Sequence, residues 1–600
     1  MIHSKKIGVI DFGGQYAHLI SSRVRRLGAY TEILSNEESL EKYKEYTGLI
    51  LSGGPNSVYE KDSPQLDEKV LHMGIPILGI CYGHQLIMKL LGGKVESSLN
   101  REYGPAFLEM EEFPAIVKGF SEKEKIWMSH GDEVVSLPEG FHPFGRTDHC
   151  RYAGVYHTEK KIYGIQFHPE VTHSEKGMLF LENFISICGL SNTWGMDQFL
   201  EEKISEIKKE TKDNNVFMLI SGGVDSTVSY LLLAKALGGE RVKGLLIDTG
   251  FMRKNEVSNL SEKLHSLGVD LLVSDESERY YEALKGKSDP EEKRKIIGQL
   301  FIDSKDAIAV KYHLTDEKWL LGQGTIYPDT IESGGTKHSH KIKTHHNRVQ
   351  GILDLMEKGR IIEPIRDLYK DEVRELGTRL GLERNWVNRH PFPGPGLAVR
   401  MLSSNEYHGF SNNEGLTSVI SKFDKLQAKV LPIQSVGVQG DQRSYSACAV
   451  LTDCLSDWDK YEEASTQITN LVKGVNRVVL LPFVKDFTQM EFRFSKIELD
   501  RKHSDLLREI DDVVWNHLVE HKLVEAIWQM PVVLVPVGAS VGKFSVVLRP
   551  VESQEAMTAN FYRMNRDQLR SLCDKLSRFN ELSYVFYDIT NKPPGTIEWE

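Results

Sequence analysis

Short apolar runs alternate with longer amphipathic runs along the first part of the chain. Apolar runs of strand length lie at residues 7–10, 48–51 and 75–80, and helical periodicity lies at 16–27 and 84–91. Strands that are apolar on both sides and separated by helices are typical of a parallel sheet that is covered on both faces. We therefore predict that residues 1–190 form an α/β domain.

The same alternation restarts after a charged, helix-prone stretch at residues 196–212. Further strand-like runs lie at 216–220, 242–247, 271–273 and 319–321. The segment His390-Pro-Phe-Pro-Gly-Pro-Gly396 indicates a stiff joint, because proline and glycine interrupt regular elements. Valine-rich strands with intervening helices follow it. We predict a second parallel-sheet α/β domain at 191–400 and an α+β domain at 401–600.

The last two hundred residues contain a faint internal repeat. Leu431 aligns with Leu534, and Val479 aligns with Val585. Each half has the order strand, strand, helix, strand, which predicts a duplicated unit. A chance similarity between ordinary strands is an equally weighted alternative.

Composition and charge restrict the classes of partner. The 600 residues carry a formal charge of −11, with 40% hydrophobic and 26% charged side chains. Proteins that coat nucleic acid are usually basic, so we expect no nucleic-acid partner. The six cysteines lack disulfide or zinc spacing, and no apolar run reaches membrane-spanning length. We expect a cytoplasmic protein that does not contact membranes.

A glycine-rich turn follows the strand predicted at 216–220 and precedes an apolar helical run at 228–237. Glycines let the backbone approach a phosphate, and the N–H groups and dipole at a helix start favour negative charge. An acidic side chain beside a phosphate indicates an intervening cation, so we expect Asp225 to hold Mg²⁺. No Gly-Lys-Ser/Thr follows, so the turn is not a Walker A loop. The predicted ATP-binding residues are Ser221, Gly222, Gly223, Val224, Asp225, Ser226 and Thr227.

The string SGGVDST resembles the loop of ATP pyrophosphatases, which split ATP between its α and β phosphates. That resemblance implies adenylation of a substrate. The segment Ile342-Lys-Thr-His-His-Asn347 lies further along the chain, and Lys343 is a candidate to cover the phosphates. A solvated loop is the competing interpretation of this segment.

A second set of motifs points to a cysteine nucleophile. Cys81 lies between two glycines, after a predicted strand and before a predicted helix, as in the nucleophile elbow of hydrolases. Gln166-Phe-His-Pro-Glu170 supplies His168 as a base and Glu170 to orient it. Ser52-Gly-Gly-Pro55 ends another strand, and its amides are suited to binding an oxyanion.

These three motifs, in this order, resemble the class I glutamine amidotransferase family over residues 6 to about 190. The resemblance implies that Cys81 attacks the side-chain amide of glutamine, that His168 transfers the proton and that Glu170 orients His168. It also implies that the amides of Gly54 and Tyr82 stabilise the oxyanion. The products would be glutamate and ammonia. Adenylation turns a carbonyl oxygen into a good leaving group, which ammonia can displace.

The C-terminal motifs indicate the acceptor. Tyr587-Asp-Ile-Thr-Asn-Lys-Pro-Pro-Gly-Thr-Ile-Glu-Trp-Glu600 and Ser435-Val-Gly-Val-Gln-Gly-Asp441 resemble segments of the glutamine-hydrolysing GMP synthetase family. The resemblance implies three small-molecule substrates, XMP, ATP and glutamine. It also implies a set of XMP contacts: Arg253, Asp441, Arg443, Lys592 and Glu598. Arg and Lys suit a phosphate, and carboxylates suit N–H or hydroxyl groups.

The chain departs from the compact bacterial members of that family, which pair through their C-terminal domains. About a hundred extra residues lie between Asp441 and the terminal motif, roughly the size of a small subdomain. The layout resembles the enlarged, eukaryote-type members. We expect two copies of a dimerisation unit to pack within one chain, so a monomer is favoured over a homodimer. Alternatives are another ATP-splitting amidotransferase, such as glutamine-dependent NAD synthetase, and an inactive nucleotide-sensing scaffold.

Overall fold

The computed structural model describes residues 5–14, 16–190, 193–313, 318–329, 359–439, 442–453, 457–484, 487–553 and 559–600. The chain divides into two compact units. The first comprises the described residues within Met1–Glu206, Thr325–His345 and Arg366–Glu372, and the second comprises the rest. Within these described ranges, no helix has the length and apolar composition that a membrane span requires.

The first unit contains a nine-stranded sheet with the order β2-β1-β3-β4-β9-β8-β7-β5-β6. Its strands are β1 (Ile7–Asp11), β2 (Thr31–Ser35), β3 (Gly48–Leu51), β4 (Ile77–Ile80), β5 (Lys94–Met110), β6 (Lys123–Ser136), β7 (Phe141–Arg146), β8 (Gly154–His157) and β9 (Ile162–Ile165). Its helices are α1 (Ala17–Arg26), α2 (Leu40–Tyr43), α3 (Tyr82–Leu90) and α4 (Gly177–Ile187), and α5 (Met196–Thr211) begins in this unit and ends in the second.

The predicted parallel sheet is present from β2 to β9, with an antiparallel extension from β9 to β6. Ile7, Val9 and Ile50 face one buried cluster, while Ile10 and Leu51 face another. Alternate residues of each strand are thus buried on opposite faces, which is why the sequence shows continuous apolar runs.

The second unit opens with a five-stranded parallel sheet in the order β12-β11-β10-β13-β14. Its strands are β10 (Asn215–Leu219), β11 (Val242–Asp248), β12 (Leu271–Asp275), β13 (Trp319–Gly322) and β14 (Ile361–Ile362). Its helices are α6 (Val224–Leu237), α7 (Glu256–Ser266), α8 (Ser277–Leu284) and α9 (Pro290–Lys311). After β14 come α10 (Lys370–Arg379), whose first three residues belong to the first unit, and α11 (Arg384–Val387).

A six-stranded mixed sheet follows, in the order β15-β16-β17-β24-β21-β19. Its strands are β15 (Ala428–Gln439), β16 (Gln442–Thr452), β17 (Val475–Leu481), β19 (Val532–Val535), β21 (Phe544–Leu548) and β24 (Leu582–Asp588). The short strands are β18 (Arg493–Phe494), β20 (Val537–Gly538), β22 (Val551–Glu552) and β23 (Asn560–Phe561). Helices α12 (Asn413–Ile420), α13 (Trp458–Leu471), α14 (Arg501–Glu520) and α15 (Arg566–Leu576) accompany the sheet.

The two halves of this sheet have the same topology. In the first half, β15 is antiparallel to β16 and β16 is parallel to β17, with α13 between them along the chain. In the second half, β19 is antiparallel to β21 and β21 is parallel to β24, with α15 between them. The last strands of the halves, β17 and β24, pair antiparallel at the centre. The sheet therefore has an approximate twofold arrangement.

The register of the repeat differs from the sequence alignment. Leu431 and Val479 lie on the sheet face away from the helices, whereas Leu534 and Val585 pack on the helix-covered face. Side chains alternate between faces along a strand, so an alignment that is wrong by one residue reverses the side. Shifting the alignment by one residue places equivalent residues on the same face.

Three predicted element boundaries are also wrong. Helix α6 begins at Val224 rather than 228, and α3 begins at Tyr82 rather than 84. The first turns of these helices carry polar or glycine residues, which an apolar pattern does not detect. Strand β4 begins at Ile77 rather than 75. Pro76 lacks an N–H, which explains why the ladder starts after it.

Candidate active sites

Cys81 occupies a strained elbow between β4 and α3. Its φ is 52°, in the left-handed region that non-glycine residues seldom adopt. A Cβ on Gly79 would lie 2.7 Å from Gly83, and a Cβ on Gly83 would lie 2.4 Å from the Leu51 carbonyl oxygen. Both glycines are therefore required for the close approach of strand and helix that presents the thiol. This arrangement matches the elbow predicted from the sequence.

His168 and Glu170 form a buried pair beside this elbow. The distance from His168 Nδ1 to Glu170 Oε1 is 2.7 Å, and both side chains are almost fully buried. Burial disfavours the imidazolium, but the Glu170 carboxylate and Cys81 outweigh it and hold the pKa of His168 well above its ordinary value. Arg23 Nε donates to the Glu170 carbonyl at 3.1 Å, which ties the turn to α1.

Cys81 and His168 both face Gly53. A Cβ built on Gly53 would lie 3.4 Å from His168 Cε1 and 3.7 Å from Cys81 Cβ. The structure therefore brings the predicted nucleophile and base together at the end of β3. A glycine leaves room there for a substrate atom between them.

Two glutamines near the thiol were not predicted. Gln166 Nε2 lies 3.5 Å from Cys81 Sγ, and Gln85 Nε2 donates to Gln166 Oε1 at 3.1 Å and to the Asp132 carbonyl at 2.9 Å. The thiol also faces the Ser129 carbonyl at 3.7 Å. Gln166 begins the motif that supplies His168, and Gln85 lies four residues after Cys81, so their closeness in sequence to the predicted catalytic residues was the available signal.

Gly54 and Tyr82, the predicted oxyanion residues, lie side by side. A Cβ on Gly54 would be 3.2 Å from Tyr82 Cγ and 2.9 Å from the Phe12 carbonyl oxygen. Tyr82 is the first residue of α3, and its hydroxyl donates to the Pro64 carbonyl at 2.5 Å. A residue in this first position has no partner within its own helix for its amide N–H.

The glycine loop in the second unit also has its predicted form. Gly222 has a φ of +80°, and the loop runs directly into α6. Thr227 Oγ1 donates to the Gly223 carbonyl at 2.9 Å, and Ser226 Oγ donates to the same oxygen at 3.1 Å. Asp225 lies in the first turn of α6 and is partly exposed. The loop therefore presents the start of a fourteen-residue helix, together with hydroxyl and carboxylate groups, at the end of β10.

Three predicted contacts cannot be placed. Lys343 and Asp441 lie outside the described residues, and the side chain of Arg443 does as well. Arg443 is described only through its backbone, which pairs with Val438 in the β15–β16 hairpin.

Arg253 lines a small polar pocket together with Arg400, Asp511 and Gln529, and Glu598 contacts two of these lining residues, Arg400 and Gln529. Arg400 donates to the Glu598 carboxylate through Nε at 3.2 Å and Nη2 at 2.9 Å. Burial lowers the pKa of Arg253 to about 10, and its closest acid is Asp511 at 3.8 Å. A cavity of about 370 Å³ adjoins the same arginine. Arg400, Asp511 and Gln529 were missed by the sequence analysis, since no local motif marks them.

Lys592 belongs to the terminal segment, which pairs with the first half of the C-terminal sheet. Gly595 bridges to Gly437, the Val438 N–H donates to the Pro594 carbonyl at 2.7 Å, and the Val436 N–H donates to the Trp599 carbonyl at 3.1 Å. The terminal segment is therefore docked on the sheet through main-chain hydrogen bonds. Residues from both halves of the duplicated topology form this part of the site.

Comparisons with known proteins assign the chain to a family. The model of class-I glutamine amidotransferases matches residues 8–188, the NAD synthase model matches 196–322, and the model of the GMP synthase C-terminal domain matches 516–599. A probable glutamine-hydrolysing GMP synthase of Leptospira interrogans is 58% identical over 603 aligned positions, which cover 100% of both chains. The chain belongs to the glutamine-hydrolysing GMP synthase family.

Other members of the family are shorter. The GMP synthases of Vibrio parahaemolyticus and Thermosipho melanesiensis are 42% and 44% identical, and the matches cover 80% and 79% of this chain but 96% and 97% of those proteins. The enlarged C-terminal layout is shared with the Leptospira protein, so it is not confined to eukaryotic members. The NAD synthase model matches only the adenylating region, and the full-length similarity favours GMP synthase.

Proposed function

We propose that this chain makes GMP from XMP, ATP and glutamine, releasing AMP, pyrophosphate and glutamate. The buried Cys81–His168–Glu170 arrangement, in a chain that shares its full length with a GMP synthase, carries this proposal. The proposal divides the chain at the boundaries expected from the sequence: amidotransferase at 1–190, adenylating domain at 191–400 and XMP-binding, dimerisation-type domain at 401–600.

In the glutaminase step, the Cys81 thiolate attacks the amide carbon of glutamine. The oxyanion that forms accepts hydrogen bonds from the Gly54 and Tyr82 amides. The His168 imidazolium, supported by its raised pKa, gives its proton to the leaving nitrogen, and ammonia departs. Glu170 holds the ring through Nδ1, so the proton that moves is on Nε2. Water then attacks the thioester with His168 as base, and glutamate leaves.

In the adenylation step, the C2 oxygen of XMP attacks the α-phosphorus of ATP and pyrophosphate leaves. The loop from Ser221 to Thr227 binds the pyrophosphate through backbone N–H groups, and Lys343 covers it. Asp225 would hold Mg²⁺, which neutralises phosphate charge when bound, and its carboxylate at the helix start suits such a hard cation. Ammonia then attacks C2, and AMP leaves with the former oxygen.

The XMP contacts proposed are Arg253, Asp441, Arg443, Lys592 and Glu598. Arg253 lines the pocket described above. Its ion pair with Asp511 is long, at 3.8 Å, which leaves its guanidinium available for an anionic substrate. Glu598 is already paired with Arg400, so its carboxylate has a fixed direction in which to accept from the purine or ribose. The cationic contacts suit the 5′-phosphate.

A further part of the proposal concerns assembly and location. The two halves of the C-terminal sheet join through β17 and β24, as two subunits would across a twofold axis. We propose that this internal pairing replaces the dimer contact of compact relatives and leaves a monomer. Light scattering at micromolar concentration tests this, and a stable dimer would contradict it. The five described cysteines are free thiols, which suits a cytoplasmic enzyme.

The decisive variant for the proposed function is Cys81→Ala. We expect it to form no GMP with glutamine but to form GMP at the wild-type rate with added ammonium. Parallel reactions with deamido-NAD in place of XMP separate GMP synthesis from NAD synthesis. Loss of both the glutamine-dependent and the ammonium-dependent reaction would refute the division into two sites.

A further inference from the structure

The terminal segment ends in a buried ion pair with α9. The Lys293 ammonium in the first turn of α9 is completely buried and donates to the Glu600 carboxylate, which is 2% exposed. Lys293 Nζ also lies 3.4 Å from the Met401 carbonyl oxygen. Arg294, the next residue, donates to the main-chain oxygen of Glu600. Two cations of one helix turn thus hold a single residue.

A buried ion pair of this kind is an inefficient way to stabilise a fold. Removing a lysine and a carboxylate from water disfavours both charges, and apolar residues of similar size often stabilise a fold equally well. Burial accordingly raises the pKa of Glu600, although Lys293 and Arg294 oppose the shift. The ion pair is therefore better explained by a role in positioning the terminal segment than by a role in stabilising the fold.

The ion pair acts on the segment that carries the proposed XMP contacts. Glu598 precedes Glu600 by two residues, and its carboxylate accepts two hydrogen bonds from Arg400. Arg477 donates to the Thr596 carbonyl at 3.2 Å and stacks over Trp599 at 4.8 Å. These contacts fix the segment against the C-terminal sheet. Lys293 fixes the end of the segment against α9. This helix comes after strands β10, β11 and β12 along the chain, and the predicted ATP loop follows β10.

We propose that Lys293 is a positioning residue for XMP: by holding Glu600, it sets the place of Glu598 and so the affinity for XMP. This inference rests on the proposed function. Lys293 acts through Glu600 rather than by touching XMP or ATP. Without Lys293 the Glu600 side chain loses its partner while Arg294 still holds the main chain, so the end of the segment is held less firmly and XMP binding has to order it again.

The test compares Lys293→Met and Glu600→Gln with the wild type in the full-length enzyme. Lys293→Met keeps the length of the side chain, and Glu600→Gln keeps the shape of the carboxylate. We expect the KM for XMP to rise about tenfold or more, which is the change expected for about 1.4 kcal/mol of binding energy. The KM for ATP and the rate of glutamine hydrolysis should stay within about twofold, since the contacts described for Lys293 and Glu600 involve neither the loop at 221–227 nor the Cys81 motif.

A charge reversal provides the rescue. Lys293→Glu combined with Glu600→Lys should recover part of the XMP affinity that either single reversal loses, which a merely structural residue would not show. Lys263→Met is the matched control, because Lys263 makes a comparable pair at 2.8 Å with Glu383, whose side chain is exposed. We expect this control to leave all kinetic constants unchanged.

The outcomes separate this inference from the proposed function. If the wild type releases no pyrophosphate in response to XMP, the proposed function fails. If the wild type responds but Lys293→Met and Glu600→Gln have wild-type KM values for XMP, only the positioning role is overturned. A parallel rise in the KM for ATP, or absence of rescue in a reversed pair that folds by circular dichroism, would also overturn it.

Discussion

The Glu170→Gln variant tests how the amidotransferase site sets the charge of its histidine. Gln preserves the size of the side chain and an oxygen near His168 Nδ1 but removes the negative charge at 2.7 Å. A hydrogen bond to a charged group contributes about 1.5–3 kcal/mol, against about 1 kcal/mol for a neutral one. The difference of about 0.5–2 kcal/mol corresponds to a fall of roughly one pKa unit for His168.

This fall has a definite kinetic signature. A thiolate–imidazolium pair loses activity when His168 deprotonates, so the basic limb of the glutaminase pH profile should move down by about one unit. We expect glutamine-dependent kcat/KM to fall by up to about 30-fold at neutral pH, corresponding to about 2 kcal/mol. GMP formation from ammonium should not change. The assay is glutamate release across pH, with NMR titration of the His168 ring as a direct readout.

Asp270→Asn is the matched control, because Asp270 pairs with His265 at 2.9 Å on an exposed surface. That pair contributes little, since solvent screens it, and the variant should retain the wild-type pH profile. An unmoved basic limb in Glu170→Gln would refute the assignment of Glu170 as the group that raises the pKa of His168.

Two further predictions concern backbone and charge. Gly83→Ala places a Cβ 2.4 Å from the Leu51 carbonyl oxygen, so we expect the free energy of unfolding to fall by about 1–3 kcal/mol and glutamine use to be lost. Gly195→Ala is the control, because the space around Gly195 is open, and it should change neither property. Denaturant titration and glutamate release measure the two effects. Burial raises the pKa of Asp588, but its two arginine partners outweigh this and hold it below 3.8. Its stabilisation is therefore present above about pH 4 and lost as pH falls through the lowered value. Asp588→Asn should lower the free energy of unfolding by about 3–5 kcal/mol at neutral pH. The difference in unfolding free energy from the wild type should narrow in acid, and a difference that does not narrow would contradict this.

Local patterns predicted much of the chemistry because they coincide with sharp backbone features. The elbow at Cys81 and the loop at Gly222 depend on glycines next to one strand each, so a short window contains the whole signal. The pairing of His168 with Glu170 spans only two residues. Burial, by contrast, had to come from the structure, and it is burial that gives this pair its electrostatic consequence.

The contacts that could not be predicted from the sequence join residues that lie far apart along the chain. Arg477 and Arg549 both bond Asp588 inside the C-terminal sheet, and nothing in their local sequence distinguishes them from surface arginines. The register of the repeat failed for a similar reason. Two valine-rich strands align almost equally well when shifted by one residue, and only the packing of helices on one face decides between the alignments.

In the proposed reaction, nitrogen released at Cys81 becomes the 2-amino group of GMP. The most direct test supplies the enzyme with XMP, ATP, Mg²⁺ and glutamine labelled with ¹⁵N in its side-chain amide, and measures the label in GMP by mass spectrometry. We expect labelled GMP from the wild type. From Cys81→Ala given labelled glutamine and unlabelled ammonium, we expect unlabelled GMP only. Unlabelled GMP from the wild type, or no GMP at all, would contradict it.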